Sequence, residues 1–329
     1  MTDTVRRAAT GGWSRLGGNA RRVVYAFAGA VAIVVVGALV HPGFASWASL
    51  RGMLVLASFT GLVAAGQMFV VLVGGIDLSM PWVLNAAAIL LTTTTLGQDS
   101  RTLWGLAVAL GAGLAVGLAN GLGVAWLGVS PVVMTLGMNG VLEGLSLGLS
   151  SGLTCGSCSS SAPPSVRAAV TGYLGGIPVD LLVWAGVAAL LSVLLSLSTF
   201  GRRVYAVGNN PRAAFLAGIS VRGVTVVLYM LSGLFAALAG VALVGYGGQP
   251  SLGLGDPYLF QSIAAVVVGG ISILGGRGHY LGAVAGSVTL VAIVTLLQAE
   301  RVPEYGRSII YGLVILAILL AYGREQRDD

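Results

Sequence analysis

The sequence predicts an all-α, polytopic membrane protein with about ten transmembrane helices and both termini in the cytoplasm. Hydrophobic residues make up 56% of the chain and charged residues 9%, with a mean hydropathy of +0.93. Soluble domains carry about 25% charged residues, so the composition excludes that class. The apolar residues form blocks of about 16 to 26, each long enough to cross a hydrocarbon core as a helix. The 51 glycines also fit, because small residues let membrane helices approach closely.

The apolar blocks predict where each span lies. In order, the predicted spans are 23–40, 52–73, 81–97, 102–127, 131–151, 175–198, 223–246, 258–274, 280–299 and 308–323. A basic arm of residues 1–22 precedes the first span. The apolar core of a cleaved signal peptide is about 7 to 15 residues, shorter than the first block, so we expect a retained helix. The predicted transmembrane domain then covers 23–323, followed by a short tail at 324–329.

The arginines orient the predicted spans. All 17 basic residues are arginine, and with the N-terminus inside, twelve of them fall on the inner side. Most of the twelve lie in the arm 1–22 and in the loop 199–222. Because basic residues are enriched in cytoplasmic loops, this bias places both termini in the cytoplasm.

The absence of lysine excludes several function classes. A Walker A loop needs a lysine to reach the phosphates, and Schiff-base enzymes need one as nucleophile. The arginines are dispersed at segment ends rather than gathered in a basic stripe, so nucleic acid is not an expected partner. No catalytic triad or metal-binding cluster stands out. We therefore expect neither an enzyme nor a metal or cofactor on this chain.

The predicted outer loop 152–174 contains a "CGSC" motif, with Cys155 and Cys158. On the outer face a disulfide is chemically permitted, and a redox pair is the alternative. Zinc would need more ligands, and the two histidines, His41 and His279, lie in other loops. A disulfide that pins the loop stays an open hypothesis.

The first polar interruption is "GGIDLS", residues 74–79, between two predicted spans. Gly74 and Gly75 let the backbone leave the helix, and Asp77 or Ser79 can cap the next one. A second interpretation is that the break lines a passage, because irregular backbone inside a membrane persists only beside water or protein. An ionised carboxylate at the bilayer centre costs about 3 kcal/mol. Asp77 should therefore face a cavity, a partner or the interface, as a cap or as a path residue.

The second interruption, "VVVGGISILGGRGHYLG" at residues 266–282, repeats the "VGGI" of the first. Gly269 and Gly270 are its candidate helix break, and the glycines around Arg277 predict a tight turn at the inner face. The echo suggests an internal duplication, as in many transporters. A plain connection between two helices is the alternative.

The third interruption, the loop 199–222, is predicted to contain a short helix. Asn210 followed by Pro211 is a typical helix start, and Gly218 is a typical end. Such a helix, rich in small residues, suits docking into a groove of another protein, whereas a solvated loop is the alternative. The candidate docking residues are Asn210, Pro211, Arg212, Ala213, Ala214 and Gly218.

Four segments together resemble one protein family. They are "GGIDLS", "TLGMNGVLEGLSLGLSSG", "FGRRVYAVGNNPRAAFLAGISVRGVTVVLYMLSGLFAALAG" and "SIAAVVVGGISILGGRGHYLGAVAG". In this order they resemble the permease subunits of bacterial ABC importers of the ribose, xylose and arabinose type. The wider family includes nucleoside and branched-chain amino acid permeases. The resemblance covers about residues 50 to 320.

The resemblance implies a set of partners. It implies a pair of permeases, either two copies or two paralogues, in a bacterial cell membrane. ATP-binding subunits would dock from the cytoplasm and hold ATP and Mg²⁺, and an extracytoplasmic binding protein would deliver a monosaccharide. The loop near 209–220 matches the coupling helix of the family. The family usually has acidic residues where this chain has Pro211 and Arg212, which implies an altered docking charge.

Polar residues at helix breaks are the candidates for the translocation path. Asn139 and Glu143 lie one helical turn apart, so a local pair that stabilises their own helix is the alternative. A stand-alone secondary carrier would need a relay of ionisable groups inside the membrane, and this chain offers few. A nucleoside, polyol or branched-chain amino acid cargo stays open. The path candidates are Asp77, Ser79, Asn139, Glu143 and Gln261, beside the glycines of the breaks.

Overall fold

The computed structural model describes residues 18–149, 161–303, 305–307, 309, 310, 312 and 313, and it is dominated by helices. A single two-residue hairpin, β1 (Tyr173–Leu174) with β2 (Ile177–Pro178), is the only sheet in these residues. The helices are α1 (Gly18–Val40), α2 (Trp47–Val71), α3 (Met80–Thr95), α4 (Thr102–Ala125), α5 (Pro131–Leu149), α6 (Pro164–Thr171), α7 (Val179–Leu197), α8 (Thr199–Asn209), α9 (Pro211–Leu216), α10 (Val221–Gly247), α11 (Tyr258–Val268) and α12 (Tyr280–Ala299).

Six helices in the described residues are long and apolar enough to cross a membrane. They are α1, α2, α4, α7, α10 and α12, with α4 counted from the 3₁₀ turn at Asp99. The spans predicted at 81–97 and 258–274 correspond to shorter helices, α3 of 16 residues and α11 of 11 residues. The predicted span at 308–323 lies almost wholly outside the described residues. The helical, multi-pass character is confirmed, whereas the number of ten spans stays a prediction.

The predicted span 258–274 is wrong in its last six residues, because α11 ends at Val268. Its start is also unusual, since the connection from α10 reaches down to the first turns of α3. The Gly255 N–H donates to Asn85 Oδ1 at 3.0 Å, and a side chain at Gly255 would overlap the carbonyl oxygen of Pro81. The connection between α10 and α11 therefore re-enters the bundle, in a segment that the sequence places between two predicted spans.

Glycines allow α4 and α10 to pack in close backbone contact. A side chain at Gly113 would overlap Ala237, and one at Gly117 or Gly233 would overlap backbone of the facing helix. The same holds for Gly121, whose missing side chain would lie 2.8 Å from the Val226 Cα. Because interhelical contact in lipid depends on van der Waals packing and not on a hydrophobic drive, such glycines hold the bundle together.

Contacts between connections define two opposite faces of the bundle. On the face that carries the hairpin, which we call the hairpin face, the Ser165 N–H donates to Asp99 Oδ1 at 2.8 Å. His41 Nδ1 lies 3.7 Å from Glu300 Oε1 on the same face. The other face, which we call the arginine face, holds the end of α2, helices α8 and α9 and the turn before α12. Its arginines in the described residues are Arg202, Arg203, Arg212, Arg222 and Arg277, all exposed.

The segment 199–222 contains one more helix than predicted. α8 precedes the short helix α9. The Ser198 side chain caps α8 by accepting from the Gly201 N–H at 3.0 Å. Val204 and Val207 are buried, while the arginines of α8 face solvent. The expectation of a loop with one short helix was therefore wrong. α8 has too few apolar residues for its helical spacing to be recognised in the sequence.

Several predicted features lie outside the described residues. They are Cys155 and Cys158, most of the arm 1–22 and the tail 324–329. The disulfide and the two terminal segments stay predictions.

Candidate functional site

The first break ends α2 with a glycine in the left-handed region. Gly74 has φ +78, its N–H donates to the Val71 carbonyl at 2.9 Å, and the Gly75 N–H donates to the Val70 carbonyl at 3.0 Å. These two bonds form a Schellman motif, which satisfies the carbonyls at a helix end. The role predicted for these glycines in ending the helix is confirmed.

The second break, at the end of α11, has the same two backbone hydrogen bonds as the first. Gly270 has φ +78, its N–H donates to the Val267 carbonyl at 2.9 Å, and the Ile271 N–H donates to the Val266 carbonyl at 3.1 Å. Gly270 thus corresponds to Gly74, although the two "VGGI" stretches align Gly74 with Gly269. The structural repeat is shifted by one residue against the sequence repeat, and Gly269 instead provides room for the backbone of Gly282.

Asp77 is buried, with 2% of its surface exposed, and it accepts three hydrogen bonds. The Ser79 N–H and hydroxyl donate to Oδ1 at 2.9 and 2.6 Å, and the Ser232 hydroxyl donates to Oδ2 at 2.7 Å. These three donors satisfy hydrogen-bonding capacity that the carboxyl group of Asp77 loses when it leaves water. In this conformation Asp77 is packed between helices rather than lining a cavity.

Two further residues fasten the same break to neighbouring helices. Asn120 on α4 donates through Nδ2 to Ser79 Oγ at 2.9 Å. Thr135 on α5 accepts from the Leu78 N–H at 2.9 Å. Sequence reasoning missed Asn120, Thr135 and Ser232, although each is a polar residue in an apolar helix, a pattern that indicates a buried polar contact. The segment 74–79 is thus held by α4, α5 and α10 together.

The prediction that Ser79 caps the next helix with its side chain is wrong, whereas Asp77 Oδ1 does accept from a backbone N–H at the start of that helix, the one of Ser79. Ser79 stands at the N-cap of α3, but its side chain makes no capping bond and its backbone is helical, with φ −83 and ψ −11. An N-cap residue normally has extended backbone. The Ser79 hydroxyl instead donates its hydrogen bond to Asp77. Pro81 in the first turn has no N–H, so one of the groups that a cap would satisfy is absent.

The other path candidates lie away from this cluster. Asn139 and Glu143 are on α5, with Asn139 half-buried and Glu143 exposed, and Gln261 is half-buried on α11. The Asn139 Oδ1 is buried and has no hydrogen-bond partner among the residues that the structure describes. These three residues stay predictions as path residues.

The helix α9 on the arginine face forms as the sequence predicts. Asn210 has extended backbone, and its side chain accepts from the Ala213 N–H at 3.0 Å, with Pro211 in the first turn. The helix spans six residues and ends in a third Schellman motif, in which Gly218 has φ +81 and the Ile219 N–H donates to the Ala214 carbonyl at 3.0 Å. The start, length and end predicted for this helix are confirmed.

The outer surface of α9 is apolar and basic. Phe215 and Leu216 are 69% and 85% exposed, while Ala214 is buried against the rest of the chain. Arg212 projects from the same short helix and is exposed. Large apolar side chains exposed to this degree, beside a positive charge, mark a contact surface.

Comparison with known proteins fits this architecture. Residues 49–319 match a family described as the permease component of a branched-chain amino acid transport system. The chain belongs to this permease family. Its members are transport components rather than enzymes. No solved structure matches the chain.

Curated relatives align over most of their length. The ribose import permease protein of Bacillus subtilis (strain 168) is 33% identical over 298 residues, 89% of this chain and 90% of the relative. The L-arabinose transport system permease protein of Escherichia coli (strain K12) is 31% identical over 288 residues, 86% and 85% of the two chains. An autoinducer 2 import system permease protein of Escherichia coli (strain K12 / DH10B) is 33% identical over 272 residues, 80% and 75%.

Proposed function

We propose that this chain is the membrane permease subunit of an ATP-driven importer for a monosaccharide. The observation that carries the proposal is α9, a capped six-residue helix that exposes Phe215 and Leu216 on the arginine face of a permease-family bundle. A permease without lysine has no P-loop of its own, so ATP would be bound and hydrolysed by a second chain. ATP and Mg²⁺ belong to that partner.

The arginine face is proposed to be cytoplasmic. Five arginines in the described residues lie there and five lie in the segments predicted outside, so the orientation rests on the seven arginines of the arm 1–22 and the tail 324–329, which bring the inner total to twelve. Ten spans with both termini inside then follow, and the location is the bacterial plasma membrane. The hairpin face, with the loop that reaches Asn85, faces outward and receives the binding protein.

The partner on the cytoplasmic side is proposed to be an ABC ATPase subunit. Its docking groove should have an apolar floor for Phe215 and Leu216 and an acidic rim for Arg212. No acidic residue occurs between Asp180 and Asp256, so the arginines of segment 199–222 have no acid within that stretch to neutralise them. A second permease, either another copy or a paralogue, completes the pathway.

The cargo is proposed to be a pentose or hexose, on the strength of the ribose and arabinose permeases among the relatives. The autoinducer 2 permease is similar to the same degree, so that signal molecule is the second candidate. Specificity is set mainly by the external binding protein. The membrane path needs only polar groups at its breaks, such as Asn139, Glu143 and Gln261.

Transport proceeds by alternating access. ATP binding draws the two ATPases together, and their grooves carry the two α9 helices with them. The bundles reorient around the central path, the sugar leaves inward, and hydrolysis resets the complex. No bond of the cargo is made or broken.

Copurification tests the docking surface. We expect an ABC ATPase of the same genome to copurify with the wild-type chain in mild detergent, and to be lost in Leu216→Asp because a charge would enter an apolar groove. The matched control is Leu174→Asp, since Leu174 is 68% exposed on the hairpin face and should leave copurification intact. Loss of the ATPase in both variants, or in neither, contradicts the proposed surface.

A further inference from the structure

Three segments meet on the arginine face at a point that we call the glycine junction, formed by Leu72, Gly208, Asn209 and Gly276. The Gly276 N–H donates to the Leu72 carbonyl at 2.9 Å. A side chain at Gly208 would overlap that same carbonyl oxygen and would lie 2.6 Å from the Gly276 nitrogen. The end of α2, the end of α8 and the turn before α12 are therefore in direct backbone contact.

Two side chains of α8 close the junction. Asn209 Nδ2 donates to the Tyr205 carbonyl at 2.8 Å and to the Gly276 carbonyl at 3.3 Å, so both of its amide hydrogens are used. The Tyr205 hydroxyl donates to the Gly278 carbonyl at 2.7 Å. Gly276 has φ +72 and its missing side chain would lie 2.5 Å from Asn209 Oδ1, so glycine is required there.

Each segment of the junction continues into an element of the proposed transport cycle. Asn209 is followed directly by Asn210, the cap of α9. Leu72 is followed by the break that carries Asp77, and Gly276 follows the break at Gly269–Gly270. The two adjacent asparagines thus have different roles: Asn210 begins the docking helix, and Asn209 bonds to Gly276, whose N–H in turn bonds to Leu72 at the end of α2.

We infer that Asn209 and Tyr205 are positioning residues that transmit a displacement of α9 to both helix breaks at once. The inference rests on the proposed function, since it needs an ATPase that moves α9. Interfaces held by discrete bonds transmit small shifts as a unit, because packed segments do not deform continuously. Without these bonds α9 would still dock on the ATPase, but a displacement of α9 would move the two helix breaks by a smaller distance.

The test compares ATP hydrolysis with uptake in proteoliposomes that contain the complete complex and its binding protein. Asn209→Asp removes both donors at almost unchanged size, and Tyr205→Phe removes only the bond to Gly278. We expect normal copurification of the ATPase and normal hydrolysis, with about five-fold less sugar taken up per ATP, the factor that one ordinary hydrogen bond contributes to an equilibrium. Thr199→Asp is the control, because it adds the same charge at the exposed start of the same helix, about 15 Å away.

The outcomes separate the inference from the proposed function. Reduced uptake per ATP in both variants, with the control unchanged, supports the inference. Unchanged uptake per ATP in Tyr205→Phe, or parallel loss of assembly, hydrolysis and uptake in both variants, overturns it. If the wild-type complex itself does not assemble or hydrolyse ATP, the proposed function fails instead.

Discussion

Replacing Asp77 by alanine tests whether this carboxylate anchors the first break or belongs to the translocation path. The carboxylate is 2% exposed and accepts from Ser79 twice and from Ser232 once. Asp77→Ala removes all three bonds and leaves their donors in the protein interior without an acceptor. An anchor therefore predicts a large loss of stability, with transport lost as a consequence.

The expected loss of stability follows from the number and strength of these hydrogen bonds. Hydrogen bonds to charged groups contribute about 1.5 to 3 kcal/mol each. Interhelical bonds in membranes average about 0.6 kcal/mol and reach about 1.7, because the reference state finds other partners. Three bonds at an intermediate value give about 3 to 5 kcal/mol for Asp77→Ala. Asp77→Asn keeps an acceptor for Ser79 and offers Ser232 a donor, so we expect about 1 to 2 kcal/mol.

The assay is thermal unfolding of purified protein in detergent, combined with uptake. We expect the unfolding temperature to fall most in Asp77→Ala and much less in Asp77→Asn and Ser232→Ala, with uptake retained in the last two. A melting temperature equal to that of wild type in Asp77→Ala, together with loss of uptake in Asp77→Asn, would refute the anchor and assign Asp77 to the path.

Three further predictions concern the arginine face and the loops. Gly218→Ala should lower stability by about 1 kcal/mol, because Gly218 has φ +81 and open space around it, whereas Gly218→Asn should cost less; thermal unfolding checks the order. Burial lowers the pKa of His279, whose Nδ1 accepts from the Leu281 N–H at 3.2 Å. The stability that neutral His279 contributes is present above pH 6.5 and is lost as pH falls below that value. The unfolding temperature of His279→Asn should therefore change less than that of wild type between about pH 7.5 and pH 5.5. Asp99 Oδ1 accepts from the Ser165 N–H at 2.8 Å, so Asp99→Ala should make the hairpin-face loops more sensitive to proteolysis than those of wild type.

The elements that sequence predicted well are those whose signals are local. Asn210, Pro211 and Gly218 determine α9 through capping, a fixed φ and a left-handed glycine, all within nine residues. The glycine breaks are predictable for the same reason. Long apolar blocks likewise correspond to helices, because burying backbone polar groups in lipid requires helix.

The features that sequence missed depend on contacts between distant segments. Asp77 is joined to α10 by Ser232, which lies 155 residues away in the chain, so the local pattern predicted capping and not this bond between helices. Asn209 resembles a second candidate cap beside Asn210, and only its bond to Gly276 reveals another role. The start of α11 was predicted, but its end was placed six residues too late because the apolar stretch continues past the Schellman turn at Gly270.

The most direct measurement of the central claim is uptake of radiolabelled ribose, arabinose and autoinducer 2 into proteoliposomes that hold the permease and its ATPase. The account predicts uptake of a monosaccharide that requires both ATP inside and the loaded binding protein outside, and that is abolished by Leu216→Asp. Uptake by the purified chain alone, driven by an ion gradient and insensitive to ATP, would contradict the account.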